Sequence, residues 1–479
     1  MVDFHEYQQR FHQLQAANPQ LQTVSSTPAP QGQHTATAQQ QAHHITFHQL
    51  QTILNKTTPT LPDNILLDFV ESHFRKRRNI LHVIGGHLTP CYLFEPNVLI
   101  ANAKAFKRAF QQYLPESKFY FAMKSNNFID VSKTVISCGF GLDVSSGAEL
   151  ATALRLGAGD IVFSGPGKSA QELDLAIANN SKVVVLMDSF SEMRRLEKRA
   201  ARQGRQIRAG VRLTTEPNGL WRKFGILLED LQLFITESKR YKHILLQGLQ
   251  SHSSWNMGPE RQIAFIKELS KTIAHLKPED QKLIKFIDIG GGYWPEQGEW
   301  LQSGGTPQGV VRSALSAADP AFLAENLAYP HYFNQSSPIE VFALELSRAI
   351  SEYIHTLISC KICFEPGRWI ANECMSIILR VMDKKYGDLV ITDGGTNAVG
   401  WERFETDYCP ILNISRPALT EKECLITGSL CTPHDVWGYS YWGADIKEGD
   451  FLMIPSQGAY TYSLRQNFIK SAPEVITFP

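Results

Sequence analysis

The chain has 479 residues, 43% of them hydrophobic, which is more than one ordinary domain holds and enough for a substantial core in at least two. Lysine plus arginine and aspartate plus glutamate stand at 47 each, so no net charge draws the protein toward nucleic acid or an anionic membrane. There is no run of about 18 apolar residues and no basic, apolar leader of the secretory kind, so a cytoplasmic protein without a membrane partner is expected.

Residues 1–60 are rich in Gln, His, Ala, Thr and Pro and are expected to form a disordered tail, because few of them can bury a core. In the segment 61–96, Ile65, Leu66, Leu67, Phe69 and Val70 have helical spacing, and Pro90 to Phe94 read as a strand. A strand from the region of residues 78 to 94 is expected to pair with a β-domain at the far end of the chain.

Residues 97–374 alternate short β-like runs with helical patterns. The runs are Phe119 to Ala122, Gly141 to Val144, Ile161 to Phe163, Val183 to Leu186, Ile207 to Arg212, Leu246 to Leu249, Phe286 to Ile289 and Lys361 to Phe364. Eight strands separated by helices predict parallel βαβ units closed into a (β/α)8 barrel, whose chemistry gathers at the C-terminal strand ends. Residues 375–479 change to strands and turns (Met375 to Met382, Asp388 to Thr392, Glu423 to Gly428, Asp450 to Pro455) and are expected to form the β-domain.

The eight cysteines are scattered, which in a chain this long points to free thiols. Cys360 and Cys363 have the spacing of a metal or redox pair, but no second pair follows and Cys363 lies in an apolar strand, so burial in the core is the expectation and no metal site is assigned.

The strand ends present Lys124, Asp143, Arg212, His252, Gly290-Gly291-Gly292, and Glu365 with Arg368. A lysine just past a buried strand is expected to have a lowered pKa, as an imine-forming amine needs. Consecutive glycines let backbone N–H groups approach a phosphate, and a nearby arginine can clamp it.

The order Phe121-Ala122-Met123-Lys124-Ser125-Asn126, Gly141-Leu142-Asp143-Val144-Ser145-Ser146-Gly147, Asp288-Ile289-Gly290-Gly291-Gly292 and Glu365-Pro366-Gly367-Arg368 resembles the fold-type III pyridoxal 5′-phosphate decarboxylases. That family acts on ornithine, diaminopimelate, lysine and arginine. The resemblance runs from about residue 88 to the C-terminus. It implies that Lys124 holds the cofactor as a Schiff base and that His252 stacks on its ring. Glu365 would keep the pyridine nitrogen protonated, which makes the ring a better electron sink. Asp143, Arg212, the three glycines, Arg368 and Tyr460, in Gly458-Ala459-Tyr460, would complete the cofactor site.

The segment Gly428-Ser429-Leu430-Cys431-Thr432-Pro433-His434-Asp435 resembles the family's Gly-x-x-Cys-x-x-x-Asp, whose cysteine protonates the α-carbon across a dimer interface. Cys431 would then be the acid, in a homodimer with shared active sites, and Phe468 would line the partner's site. The substrate side would comprise Asp407, Thr432, Asp435 and Phe468. Thr432 stands where diamine-forming members have a carboxylate for the distal ammonium, so that site is incomplete unless Asp407 or another acid compensates. Cys-Thr-Pro also resembles relatives acting on a glutamyl group tethered to a carrier protein, which leaves an acyl-carrier partner open. After His252 the family's His-x-Gly-Ser becomes His252-Ser253-Ser254-Trp255, so a serine would take over the phosphate contact while Trp255 packs beside the ring. A racemase of the same fold would place an arginine where Glu365 stands. A silent regulatory homologue is the third reading, opposed by the retention of Lys124, Glu365, Arg368 and Cys431.

Overall fold

The computed structural model describes Thr52 and residues 58–318, 330–400 and 406–479; the remainder of the expected tail, up to residue 57, lies outside the described residues. Eight strands, Lys118–Ala122, Gly141–Val144, Ile161–Phe163, Val183–Met187, Ile207–Thr214, Ile244–Gln250, Phe286–Asp288 and Lys361–Phe364, pair in parallel in chain order. The eighth pairs with the first and closes the barrel. This is the predicted (β/α)8 architecture. Its strands are apolar on both faces because helices cover the outside and side chains fill the inside.

Inside the barrel, Tyr120, Val162, Val184, Leu186 and Cys363 form a separate core with Phe286 packed against it. Large rings there need glycine opposite them. A Cβ at Gly248 would sit 1.9 Å from the Phe286 ring, and one at Gly141 would sit 2.5 Å from the Tyr120 ring.

The helices that follow the second, third and fourth barrel strands start on a shared device. Ser146, Ser169 and Ser189 each accept a hydrogen bond from the backbone N–H of a glutamate three residues on, Glu149, Glu172 and Glu192. At Ser169 the glutamate side chain returns the bond and completes a capping box. These caps fix the angle at which each strand end turns, and so the position of the side chains at the barrel mouth.

A second sheet of eight strands runs in the order Leu389–Thr392, Glu421–Thr427, Val436–Trp442, Leu412–Asn413, Phe451–Ile454, Met375–Lys385, Cys91–Phe94 and Glu474–Thr477. Cys91–Phe94 lies antiparallel to Met375–Lys385 and parallel to Glu474–Thr477, so a strand that precedes the barrel and the last strand of the β-domain pair in it. The N-terminal contribution is shorter than the sequence suggested. Residues 78–84 finish the helix Asp63–Ile84, whose buried stripe of Leu66, Val70, Ile80 and Ile84 keeps helical spacing to its end. That stripe packs with Leu93, Ile378, Leu412 and Met453 of the sheet. Among the described residues no helix is long and apolar enough to cross a membrane.

Lys168, just after the third strand, and Glu192 form an ion pair at 2.7 Å with both side chains 1% exposed. The ammonium also donates to the carbonyls of Gly165 and Leu186, each at 2.8 Å. Removing one partner of such a pair costs about 3–5 kcal/mol, because the other charge is left buried. Glu192→Ala should lower unfolding stability by about that amount in urea titration. The double change Lys168→Met with Glu192→Leu should recover most of it.

Candidate active site

The site is built on strand ends. After the first strand, a single 3-10 turn, Met123–Ser125, places Lys124 at the C-terminal mouth of the barrel. The Ser125 hydroxyl donates to the Ala122 carbonyl at 2.7 Å, and the Ser125 carbonyl accepts from the Tyr460 N–H at 2.7 Å. Asn126 Nδ2 donates to the Gly458 carbonyl at 2.8 Å, so the β-domain grips the turn that carries the lysine.

Lys124 Nζ lies 3.4 Å from Asp143 Oδ2, on the second strand. Asp143 is fully buried, and its other oxygen accepts from Ser164 Oγ at 2.5 Å. The lowered lysine pKa expected from the sequence is not what the structure gives. Burial does push the ammonium toward the neutral amine, but Asp143, Tyr460 and Glu365 outweigh it and hold the pKa above the ordinary lysine value.

Glu365 follows the eighth strand and is 1% exposed. Gln250 Nε2, at the end of the sixth strand, reaches both of its oxygens at 3.4 Å. Beside it, the fully buried Asp288 accepts the Gly290 N–H at 2.9 Å. Burial and the neighbouring Glu365 charge push the Asp288 carboxyl far above the usual range, and its Oδ2 has no hydrogen-bond partner. Arg212, buried on the fifth strand with its guanidinium 4.4 Å from the Phe224 ring, adds positive charge. Burial lowers its pKa against the pull of Glu365, Asp188, Asp143 and Asp288.

His252 accepts the Gly291 N–H on Nδ1 at 3.1 Å. Burial, then Lys124 and Arg212, hold its pKa well below the ordinary histidine value. It is therefore a neutral imidazole with its proton on Nε2, 3.4 Å from Ser254 Oγ. The glycine run is required by this packing. A Cβ on Gly291 would sit 2.2 Å from the Glu365 carbonyl oxygen, and one on Gly292 would sit 2.1 Å from that of Ser253, at a φ of +82°.

Lys124, His252, Gly292, Glu365, Arg368 and Tyr460 open onto one cavity of 370 Å³, which Asp407 also lines. The Arg368 guanidinium lies 4.3 Å from the Trp294 ring and 5.0 Å from that of Tyr460. Trp255, in left-handed backbone conformation (φ 54°), stacks on Trp294 at 6.1 Å. Ser254 lines this cavity, whereas Ser253 donates to Asn256 Oδ1 at 3.1 Å.

The remaining expected residues lie elsewhere in the chain. Cys431 is an exposed thiol on the loop after Thr427, and neither it nor Thr432, Asp435 or Phe468 lines the Lys124 cavity. Asp435 is buried, with Oδ1 accepting from the Thr396 N–H at 2.7 Å and Oδ2 from the Leu430 N–H at 2.7 Å. In this chain it fastens the Cys431 loop to a neighbouring turn. Cys363 is buried inside the barrel and Cys360 is half-buried against the core around it, where burial pushes the Cys360 thiol up to about 12. Among the described residues no cluster of His, Cys, Asp and Glu assembles as a metal site.

Sequence reasoning missed Gln250, Asp288 and Glu299, and the aromatic wall of Phe69, Trp294 and Trp300. The only signal for the wall was the density of aromatic and acidic residues in Tyr293 to Trp300.

Residues 100–310 match the family model described as the pyridoxal binding domain of the pyridoxal-dependent decarboxylases. Among similar proteins, the L-glutamyl-[BtrI acyl-carrier protein] decarboxylase of Niallia circulans is 22% identical over 404 residues, covering 78% of this chain and 85% of the relative. A diaminopimelate decarboxylase of Neisseria meningitidis is 25% identical over 395 residues, covering 79% and 87%. Among solved structures, the diaminopimelate decarboxylase of M. jannaschii in complex with L-lysine superposes with a TM-score of 0.68 at 20% identity, over 83% of this chain and 89% of that one. The lysine/ornithine decarboxylase of Vibrio vulnificus with putrescine gives 0.65 at 19% identity, over 84% and 98%. The motif order, the barrel with its β-domain and these matches agree: residues 100–310 carry the pyridoxal binding domain of the pyridoxal-dependent decarboxylases, so the chain is an enzyme built for pyridoxal 5′-phosphate.

Proposed function

We propose that the protein removes the α-carboxylate of an L-amino acid of the diaminopimelate, ornithine, lysine or arginine kind, and that Lys124, Glu365 and Cys431 carry the chemistry. The observation that carries this reading is Glu365. It is a buried carboxylate open to the Lys124 cavity, and a racemase of this fold would have an arginine in its place.

The donor set fits the cofactor. Three buried carboxylates, Asp143, Asp288 and Glu365, converge on the cations Lys124 and Arg212, and burial pushes the Asp143 and Asp288 carboxyls upward. A pyridinium against Glu365 would add a compensating positive charge. Lys124 would hold the cofactor through its amine and Asp143 would orient that amine. His252, flat and neutral, can cover the ring without competing for the pyridine proton, while Arg368, Gly292 and Tyr460 are suited to the phosphate. Bound there, pyridoxal phosphate supplies the electron sink for the pair left on the α-carbon.

In the net reaction the bond from the α-carbon to the carboxylate breaks and CO2 leaves. Its electron pair stays on the α-carbon and takes a proton there, so one proton is consumed for each amine formed. Cys431 as the donor of that proton requires a second copy, because the thiol lies outside the Lys124 cavity of its own chain. This supports a homodimer in which each copy completes the other's site.

Lys124→Ala should abolish the visible absorbance of covalently held cofactor while leaving the far-ultraviolet circular dichroism unchanged; retained absorbance would remove the lysine from its role. In heavy water, turnover should release CO2 and give an amine carrying one deuterium at the α-carbon. Deuterium exchange in the amino acid without CO2 would make the protein a racemase instead. Mixing inactive Lys124→Ala and Cys431→Ala proteins should restore roughly a quarter of wild-type activity, since about half the dimers are mixed and each mixed dimer has one intact site. Absence of any recovery would place the proton donor within a single chain.

A further inference from the structure

Between the seventh and eighth barrel strands the chain makes an excursion that builds a small sheet over the cavity. Glu299–Leu301 pairs antiparallel with Tyr332–Asn334, with Glu299 opposite Asn334. On its other side Leu301 bridges to Asp407. Here Gln302 N–H donates to the Thr406 carbonyl and Tyr408 N–H to the Trp300 carbonyl, both at 3.0 Å. The two-residue period of a strand puts Glu299 on the same face as Leu301, and Asp407 lies directly opposite Leu301. Glu299 and Asp407 are therefore diagonal neighbours on one face, and both line the cavity that holds Lys124.

The surroundings of Glu299 orient its charge without cancelling it. Oε1 accepts from Trp255 Nε1 at 3.3 Å and Oε2 from Asn334 Nδ2 at 2.9 Å; both donors are neutral. No lysine, arginine or histidine among the described residues comes within ion-pair distance of it. The adjoining wall is aromatic, with Trp255, Trp294, Trp300, Tyr408 and Phe69. Among the described residues, the lysine and arginine that line this cavity are Lys124 and Arg368, the two proposed above for the cofactor.

We infer that Glu299 is the specificity-determining residue of this enzyme and binds the distal cation of a basic amino-acid substrate, an inference that rests on the decarboxylase reading above. A distal ammonium or guanidinium would balance the Glu299 charge and lie against ring faces that attract cations. A distal carboxylate, as in glutamate or at the far end of diaminopimelate, would meet the like charge of Glu299, which has only neutral partners among the described residues. A neutral tethered chain would cover Glu299 and leave its charge desolvated and unpaired. Thr432 is then no defect. The carboxylate that diamine-forming relatives supply at that position comes here from the excursion of the chain that also carries Lys124.

The test uses the cofactor-loaded full chain with lysine, ornithine, arginine, meso-diaminopimelate, glutamate and norleucine, following CO2 release. A basic amino acid should exceed norleucine in kcat/KM by about 100-fold or more, and Glu299→Gln should cut the basic substrate by about the same factor while moving norleucine less than about threefold. In parallel, calorimetric titration with 1,5-diaminopentane should show binding to the wild type that weakens by about 100-fold in Glu299→Gln, with bound-cofactor absorbance and thermal midpoint retained. Preference for glutamate, diaminopimelate or norleucine, or an equal loss on every substrate in Glu299→Gln, overturns the inference and leaves the decarboxylase reading intact. If no amino acid yields CO2, the decarboxylase reading falls. Glu299 then stands as a cation site only if diaminopentane still distinguishes the two proteins, and is overturned if it does not.

Discussion

Burying three carboxylates at the mouth of one barrel is the constraint around which the rest of this structure is arranged. Asp143, Asp288 and Glu365 come from the ends of the second, seventh and eighth strands and have almost no contact with solvent. Isolated charges cannot persist there, since each would cost several kcal/mol. The fold answers with Lys124 from the first strand, Arg212 from the fifth and an Asp288 carboxyl pushed toward its neutral form. Five of the eight strand ends thus contribute to one electrostatic balance, and each depends on the caps and turns that fix where its strand stops. The same balance explains why Lys124 remains an ammonium in the protein alone. Its charge is part of what keeps Asp143 and Glu365 tolerable.

The barrel was legible in the sequence because parallel strands buried on both faces read as short apolar runs, and these are hard to confuse with the amphipathic helices between them. Val183 to Met187 and Phe286 to Asp288 are found within a residue or so of where the pattern ended. The β-domain was less legible. Val436–Trp442 lies inside it but reads Val-Trp-Gly-Tyr-Ser-Tyr-Trp, a run whose glycine and serine hide its alternation, and the two-residue Leu412–Asn413 carries no pattern at all. Residues 78–84 misled because Ile80, Leu81, Val83 and Ile84 have β-forming side chains in what is the last turn and a half of a helix.

The residues proposed to hold the cofactor could be picked out for a different reason. Each sits within a few positions of a strand end, so local sequence carries it. The pKa of Lys124 was not legible, because its sign depends on Asp143 and Glu365, which are remote in sequence and meet it only through barrel closure. Glu299 was hidden for the same reason. Its meaning depends on Trp255, Asn334 and Asp407, three segments that share no local motif with it.

Cys431 and Phe468 extend the same logic to a second surface. The loop of Cys431 is fastened by Asp435 to Thr396, and Ser429 Oγ donates to the Asp393 carbonyl at 2.8 Å. The turn carrying Phe468 is held to the same place, with Asn397 Nδ2 donating to the Gln466 and Lys470 carbonyls at 3.2 and 3.3 Å and Lys470 Nζ to that of Asp393 at 3.1 Å. An exposed thiol and a half-exposed phenyl ring are thereby carried on one rigid support, residues 393–397, although 37 positions separate them in sequence (468 minus 431). Such fastening serves no purpose for groups that act in solution, where a mobile loop would do. It suits groups that must enter another copy's cavity together, because each hydrogen bond made in the free chain removes ordering entropy that association would otherwise have to supply. Under the proposed dimer, Asp435 therefore acts without touching substrate. It holds the acid where a neighbouring barrel can use it.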